Sequence, residues 1–459
     1  MIQRTKNIIR LGLKWLLILF VGLIVIYAIA RFYVVYTESV IKGERAPYLQ
    51  MQASDGITVS WHTEESEIGV VHYGLEIDDL NHSVKDVEAK DAHELRLTRL
   101  KPATRYYYSV GNQSSVKYGG TDAHWFMTAL ETGSTEAVRI LVLGDSGLPG
   151  EVLQAVNSAS NKWLKENHRE NKPLIDQWLM LGDNAYTSGT NDQYQKAIFD
   201  IFPHLLKNTT LWPAYGNHDA RRWAFFRIFA LPENGEAGGV PSATEHYYSF
   251  NYANIHFVML DSQDKDRSPD GEMLQWLDQD LQVNNQEWVI VAFHHPPYTK
   301  GTHDSDDPGD SGGRLIDMRE NVLPVLEKHG VDLVLAGHSH VYERSKLIDC
   351  HYGYSSAFTQ NNVVSDGVDG LHLNYLKPKG KQPHSGAVYI VAGASSKAGA
   401  GSLDHPAMAT SMLETGSLII DVEGDKLIGR FVNRHAIVVD EFTLSKIAGY
   451  KSSYGGCEY

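Results

Sequence analysis

Leu179 to Tyr186, LMLGDNAY, is an apolar run that stops at a glycine, a carboxylate and, three residues on, a phenol. A carboxylate at the mouth of a buried strand can bridge two metal ions, and a phenolate beside it is a hard ligand suited to a trivalent one. A Gly-Asp turn after a strand is common punctuation by itself. What decides the reading is that other apolar runs stop in the same way. RILVLGDSG ends at Asp145, WLMLGDNAY at Asp183 and Tyr186, LWPAYGNHD at Asn217 and His218, WVIVAFHH at His294 and His295, and VDLVLAGHSH at His338 and His340.

Between these short continuous runs lie amphipathic segments at Glu151–Asn167, Asp192–Leu206, Glu272–Asn284 and Arg314–His329, so the pattern predicts a layered α/β fold. In the last of them Leu315, Met318, Val322, Val325 and Leu326 form a stripe at helical spacing, read as core. In layered α/β folds the carboxyl ends of strands converge on one crevice, which would bring these distant residues together. Imidazole, carboxylate, amide oxygen and phenolate form an O/N set suited to iron, zinc or manganese. His338 and His340, two apart on an extended segment, would project to opposite sides and reach different ions.

Upstream, Ala46 to Leu130 has strand periodicity of two, with Ile57, Val59 and Trp61 alternating with Thr58, Ser60 and His62. Leu100, Pro102, Thr104 and Tyr106 resemble the corner of a fibronectin type III sandwich, where a tyrosine hydroxyl ties strand to backbone. This module is read as a spacer or docking domain, with the chemistry in the part that follows the polar linker Glu131–Glu136.

The formal net charge of -15 over 459 residues excludes a nucleic-acid binder, which needs basic stripes. Chemistry on a phosphate would need its own local positive charge, and metal ions are the direct source. Leu11 to Ala30 is apolar apart from Lys14 and long enough to cross a bilayer as a helix. Arg4, Lys6, Arg10 and Lys14 in front weigh against Arg31, Lys42 and Arg45 behind, so the positive-inside rule places the amino terminus in the cytoplasm and the rest outside. Ala28, Ile29 and Ala30 resemble a small-residue cleavage site, which makes secretion after signal cleavage the alternative. Two cysteines, Cys350 and Cys457, offer no CxxC site but could pair outside the cytoplasm.

The order D-x-G, G-D-x-x-Y, G-N-H-D, V-x-x-H, G-H-x-H resembles the calcineurin-like metallophosphoesterases, and specifically the purple acid phosphatases. Gly147 stands where many calcineurin-like enzymes carry the histidine of D-x-H, and the phenol of Tyr186 is available to substitute. HVYER, His340 to Arg344, also resembles the plant-type members, which carry a fibronectin-like domain in front. The resemblance implies a four-layer α/β/β/α sandwich over residues 137–442 behind the all-β domain at 46–130; outside it lie the anchor expected at 1–45, with a transmembrane helix at about 11–30, and a tail at 443–459. It implies that Asp145, Tyr186 and His340 hold Fe3+, that Asn217, His294 and His338 hold a divalent ion (Fe2+, Zn2+ or Mn2+), and that Asp183 bridges the two. His295 would support its neighbour from behind. His218 and His303 would contact the substrate and protonate the leaving group, with Asn217 also facing the substrate.

The implied activity is acid hydrolysis of phosphomonoesters by attack of a metal-bound hydroxide. The alternatives are a calcineurin-like phosphodiesterase with two divalent ions, or an inactive membrane-tethered binding protein. Asp304, Asp306, Asp307 and Asp310 form an acidic loop read as solvated, with a substrate filter or calcium site as the other reading. Residues 351–385 are expected to form a lid or rim loop, and sequons stand at Asn81, Asn112 and Asn208.

Overall fold

The computed structural model describes residues 2–170, 172–367, 373–451 and 456. Two seven-stranded sheets form its centre. The first runs in the order Leu211–Pro213, Gln177–Met180, Val138–Leu143, Gly416–Glu423, Lys426–Asn433, Val438–Ile447, Leu373–Pro378. The second runs Tyr248–Tyr252, Ile255–Met259, Trp288–Phe293, Leu333–Ala336, Val388–Ala392, Tyr342–Ser345, Met408–Met412.

Strand alternation assigns the layers. Ile290 and Ala292 join the same core as Ile140, Val142 and Leu418 of the first sheet, so they lie between the sheets. Their neighbours Val289, Val291 and Phe293 pack instead with Leu274, Leu277, Met318 and Leu326 of the helices. Strands covered on both faces must be apolar at every position, which is why these runs are continuous rather than alternating. The helix Glu151–Glu166 lies on the other flank, burying Leu153, Val156 and Leu164. The four-layer expectation holds.

Several boundaries differ. The helix expected at Asp192–Leu206 is Asn191–Tyr194, a π turn Gln195–Phe199 and a short helix Pro203–Leu206, because a proline cannot donate into a continuing ladder. The stretch from Arg314 to Lys328 is helical throughout but contains a π turn, Met318–Val322, just before Pro324. The sheet continues to Ile447, past the boundary expected at 442, because Leu444 is as buried as Phe442. The expected lid at 351–385 includes Leu373–Pro378, a strand pairing in parallel with Val438–Ile447. Cys350 is disulfide-bonded, and Cys457 lies outside the described residues.

In front stands a β sandwich, with Arg45–Gln50, Gly56–Glu67 and Lys90–Thr98 on one sheet and five short strands on the other. The Tyr106 hydroxyl accepts from the Lys101 N–H at 3.0 Å, the expected corner. The sandwich is docked rather than tethered: Tyr48 donates to Ile228 O at 2.6 Å and Tyr108 to Lys207 O at 2.9 Å. The first helix, Ile2–Ser39, is long and apolar enough to cross a membrane, and its apolar window is fully exposed.

Candidate metal centre

All five strand ends meet at one crevice. Tyr186 Oη donates to Asp145 Oδ1 at 2.9 Å and lies 3.3 Å from His340 Nε2, which is itself 3.4 Å from Asp145 Oδ1. A second group lies alongside, with His294 Nε2 at 3.0 Å from Asn217 Oδ1, 3.1 Å from His338 Nδ1 and 3.4 Å from Asp183 Oδ1. Asp145, Asp183 and His294 offer ligand atoms within 4.8 Å of one another, so Asp183 sits where the two groups touch.

The backbone is shaped for this convergence. Asp145, Asp183 and His338 all have left-handed φ, at 52°, 52° and 66°. Residues with a Cβ adopt that region at a cost and hold it where the surroundings compel it. At His338 this overturns the extended segment expected from GHSH. A turn, not strand alternation, sends His338 to one group and His340 to the other. Gly147 is fixed by close approach, since a Cβ there would meet the Ala185 amide nitrogen at 2.3 Å and the Asp183 carbonyl at 2.5 Å. A histidine cannot occupy that place, and the Tyr186 phenol lies against Asp145 instead.

Hydrogen bonds behind the crevice set the direction of the lone pairs. Leu181 O can only accept, so His294 Nδ1 at 2.9 Å carries the hydrogen and Nε2 faces the crevice. Ser311 Oγ donates to Asp310 at 2.7 Å and so accepts from His338 Nε2 at 2.6 Å, leaving His338 Nδ1 bare. His294 Nε2, His338 Nδ1, Asn217 Oδ1 and Asp183 Oδ1 are then acceptors pointed at one another. Only a cation between them, proton or metal, makes that arrangement stable. Burial pushes the His294 imidazole down, but the Asp183 and Asp145 carboxylates outweigh it and hold it above its usual value. Burial and the neighbouring imidazoles keep His295 and His338 well below theirs, hence neutral and able to ligate. Burial, then Asp145 and Asp183, push the Tyr186 phenol well up, so a strongly acidic cation is needed to displace its proton. The donor set thus fits a binuclear centre.

The remaining residues named from sequence are also here. His295 Nδ1 lies 2.8 Å from Ser262 Oγ, and its ring lies 4.4 Å from that of His338, behind the centre. His303 stacks on His338 with centroids 3.8 Å apart and is held by Asp310 at 2.8 Å. His218 Nδ1 donates to Thr187 O at 2.6 Å, its ring 4.4 Å from that of Tyr186. The carboxylates of the acidic loop are held by partners within or beside the loop, with Asp307 exposed. Asp304 and Asp306 pair with Lys300 at 2.6 and 3.0 Å, and Asp307 accepts from Gly309 N at 2.8 Å. Asp310 pairs with His303, which lines the crevice.

Sequence reading missed Arg221 and Arg314, which line this crevice of about 480 Å³ with Asp264 and the histidines. It missed Asp219, which accepts from Asn184 N, Gly216 N and Tyr194 Oη and so holds the two ligand-bearing turns together. It also missed Lys397, whose Nζ lies 4.1 Å over the Tyr186 ring. The Asp directly after GNH was a visible signal for Asp219; the arginines and the lysine carry none.

Residues 138–342 match the calcineurin-like phosphoesterase family and residues 45–128 the purple acid phosphatase N-terminal domain. Purple acid phosphatase 15 of Arabidopsis thaliana is 28% identical over 394 residues, covering 72% of this chain and 69% of the relative. Probable purple acid phosphatase 20 of the same plant is 26% identical over 362 residues, covering 73% and 76%. The fold matches that of a purple acid phosphatase from yellow lupin (Lupinus luteus) seeds with a TM-score of 0.66 at 17% identity, over 88% of this chain and 75% of that one. The two domains, in this order and around this crevice, place the chain in the purple acid phosphatase family, the binuclear-metal acid phosphatases among the calcineurin-like phosphoesterases.

Proposed function

We propose that the enzyme hydrolyses phosphomonoesters with Asp145, Tyr186 and His340 around Fe3+, Asn217, His294 and His338 around Fe2+, Zn2+ or Mn2+, and Asp183 shared between them. The position of Asp183 between the two groups carries this reading. When bound, the two ions draw charge from the phosphoryl oxygens and acidify a water for in-line attack. Arg221 and Arg314 add positive charge at the crevice wall, where the dianion enters. His218 has Nδ1 tied to Thr187 O, so Nε2, 3.8 Å from Asp183 Oδ2, is the atom that hands a proton to the leaving oxygen. His303, its ring fixed by Asp310, faces the same crevice as a second contact for the substrate.

The helix runs unbroken through Ala28–Ala30 to Ser39, which supports a retained single-pass anchor over a cleaved signal, with the catalytic domain outside the cytoplasm. The sandwich, fibronectin III-like in its tyrosine corner, acts as a docked spacer beside it.

Metal analysis with a visible spectrum tests the assignment. Iron with one further metal ion, and a charge-transfer band that Tyr186→Phe abolishes without unfolding, are expected. A colourless, iron-free enzyme that turns over monoesters removes the ferric assignment, and a preference for diesters moves the reading to the phosphodiesterase alternative.

A further inference from the structure

The outer end of the anchor helix is packed against the segment that follows GNHD. Phe32 meets Trp223 edge to face, with centroids 5.6 Å apart, and Glu38 pairs with Arg222. Arg227 lies over the Tyr36 ring at 5.1 Å, and Asn191 donates to Ser39 O at 3.4 Å. Ser39 is fully buried, so the helix ends inside the body of the enzyme rather than in a loose tether.

Helical rise converts this contact into a height. Phe32 lies about 3 Å and Tyr36 about 9 Å beyond Ala30, at 1.5 Å per residue. The headgroup layer is roughly 5–8 Å deep on each side of the hydrocarbon. Trp223, packed edge to face against Phe32, therefore stands at headgroup depth if Leu11–Ala30 spans the hydrocarbon. Around this level Phe32, Tyr33, Tyr36 and Trp223 are exposed, which is the aromatic belt expected at a membrane interface. Arg31, Arg221 and Arg227 are exposed beside them and match the charge of anionic lipid headgroups.

The same short segment reaches the crevice. Asn217, Ala220 and Arg221 line it, and Arg221 is two residues from Trp223. The wall is made of histidines, Arg221, Arg314, Gln263 and Asp264, so it takes a charged head and offers no apolar trough for acyl chains. A lipid phosphomonoester could present its phosphate there with its chains left in the bilayer.

We propose that this enzyme works at the membrane surface on phosphomonoester headgroups of lipids, its crevice held at headgroup height by the contact between Phe32–Ser39 and Asp219–Arg227. The inference rests on the phosphatase reading above. The same crevice chemistry would accept a free phosphate ester, and the experiment separates the two sources.

The metal-loaded full chain is reconstituted in phosphatidylcholine vesicles containing phosphatidic acid, with a soluble aryl phosphate assayed in parallel. Phosphate release from the lipid is expected, falling as phosphatidic acid is diluted within the bilayer at constant bulk concentration. Phe32→Ala combined with Trp223→Ala should lower lipid turnover about tenfold by loosening the height constraint. Turnover of the soluble ester should be unchanged, which also shows the variant folds. A fluorophore at Trp223→Cys should be quenched by headgroup-spin-labelled lipid, a readout that does not depend on metal.

Turnover of the soluble ester alone, lipid turnover indifferent to the double substitution, or an unquenched probe overturns this inference and leaves the phosphatase reading standing. Turnover of neither substrate overturns the phosphatase reading and this one with it.

Discussion

His93 and Asp86 in the β sandwich and His294 and Asp183 in the crevice are the same residue types, and all four are at most 4% exposed. In the sandwich each side-chain nitrogen of His93 and each carboxylate oxygen of Asp86 is matched to an opposite. His93 Nδ1 lies 2.6 Å from Asp86 Oδ2, and Nε2 lies 3.0 Å from Thr63 Oγ1. Lys90 reaches the other Asp86 oxygen at 2.9 Å, and Trp61 stacks on the ring. In the crevice the outer hydrogen bonds are equally complete, but they turn the inner atoms toward one another as acceptors. Burial of His and Asp is therefore not a sign of a metal site; the direction of their lone pairs is. A closed network serves stability, whereas an open one needs a cation.

The sharpest way to break this contrast is at the shared carboxylate. Asp183→Asn should lose bound metal, read by elemental analysis, and lower turnover by at least about 10³-fold. Wild-type turnover in the metal-free variant ends the bridging assignment. His218→Ala should retain both ions and lower kcat by about 10²-fold, since it removes a proton donor and no ligand. Equal loss of metal and rate there would make His218 part of the open network.

In the closed network, Asp86→Asn should leave metal content and turnover at 25 °C intact while lowering unfolding free energy by roughly 2–3 kcal/mol, read by denaturant titration. Lost metal in that variant would erase the distinction between the two regions.

A smaller test uses Glu343, fully buried beside Thr299 and raised by burial from 4.5 to about 7. The folded chain keeps a proton that the unfolded chain gives up between those values, so this group makes stability fall as pH rises from about 4.5 to 7. The change from pH 5.5 to 7 should be on the order of 1–2 kcal/mol, and Glu343→Gln should remove it from the measured pH profile. An unchanged profile would assign the carboxyl an ordinary pKa.

Much of the site was legible because its residues stand where apolar runs stop. A strand buried on both faces must be apolar along its length, so Asp145, Asp183, Asn217, His294 and His338 stand out as breaks in pattern. The helices over 192–206 and 314–329 were less legible in detail because Pro203 and Pro324 act on the turn before them, and periodicity does not register a π turn. The strand Leu373–Pro378 was hidden in a polar stretch because it pairs at an edge, where one row of side chains faces solvent.

The sequence by itself determined the layered fold, an amino-terminal helix long and apolar enough to cross a membrane, and the donor types in their order, because burial, span length and ligand chemistry each leave a mark on local composition. Only the tertiary structure decided the left-handed turns at Asp145, Asp183 and His338, and the lone-pair directions set by Leu181 and Ser311. It alone brought Arg221 and Arg314 to the crevice wall and seated Phe32 on Trp223. Those are contacts between segments remote along the chain, fixed by where the strands and the first helix end in space, and a contact of that kind has no period to read.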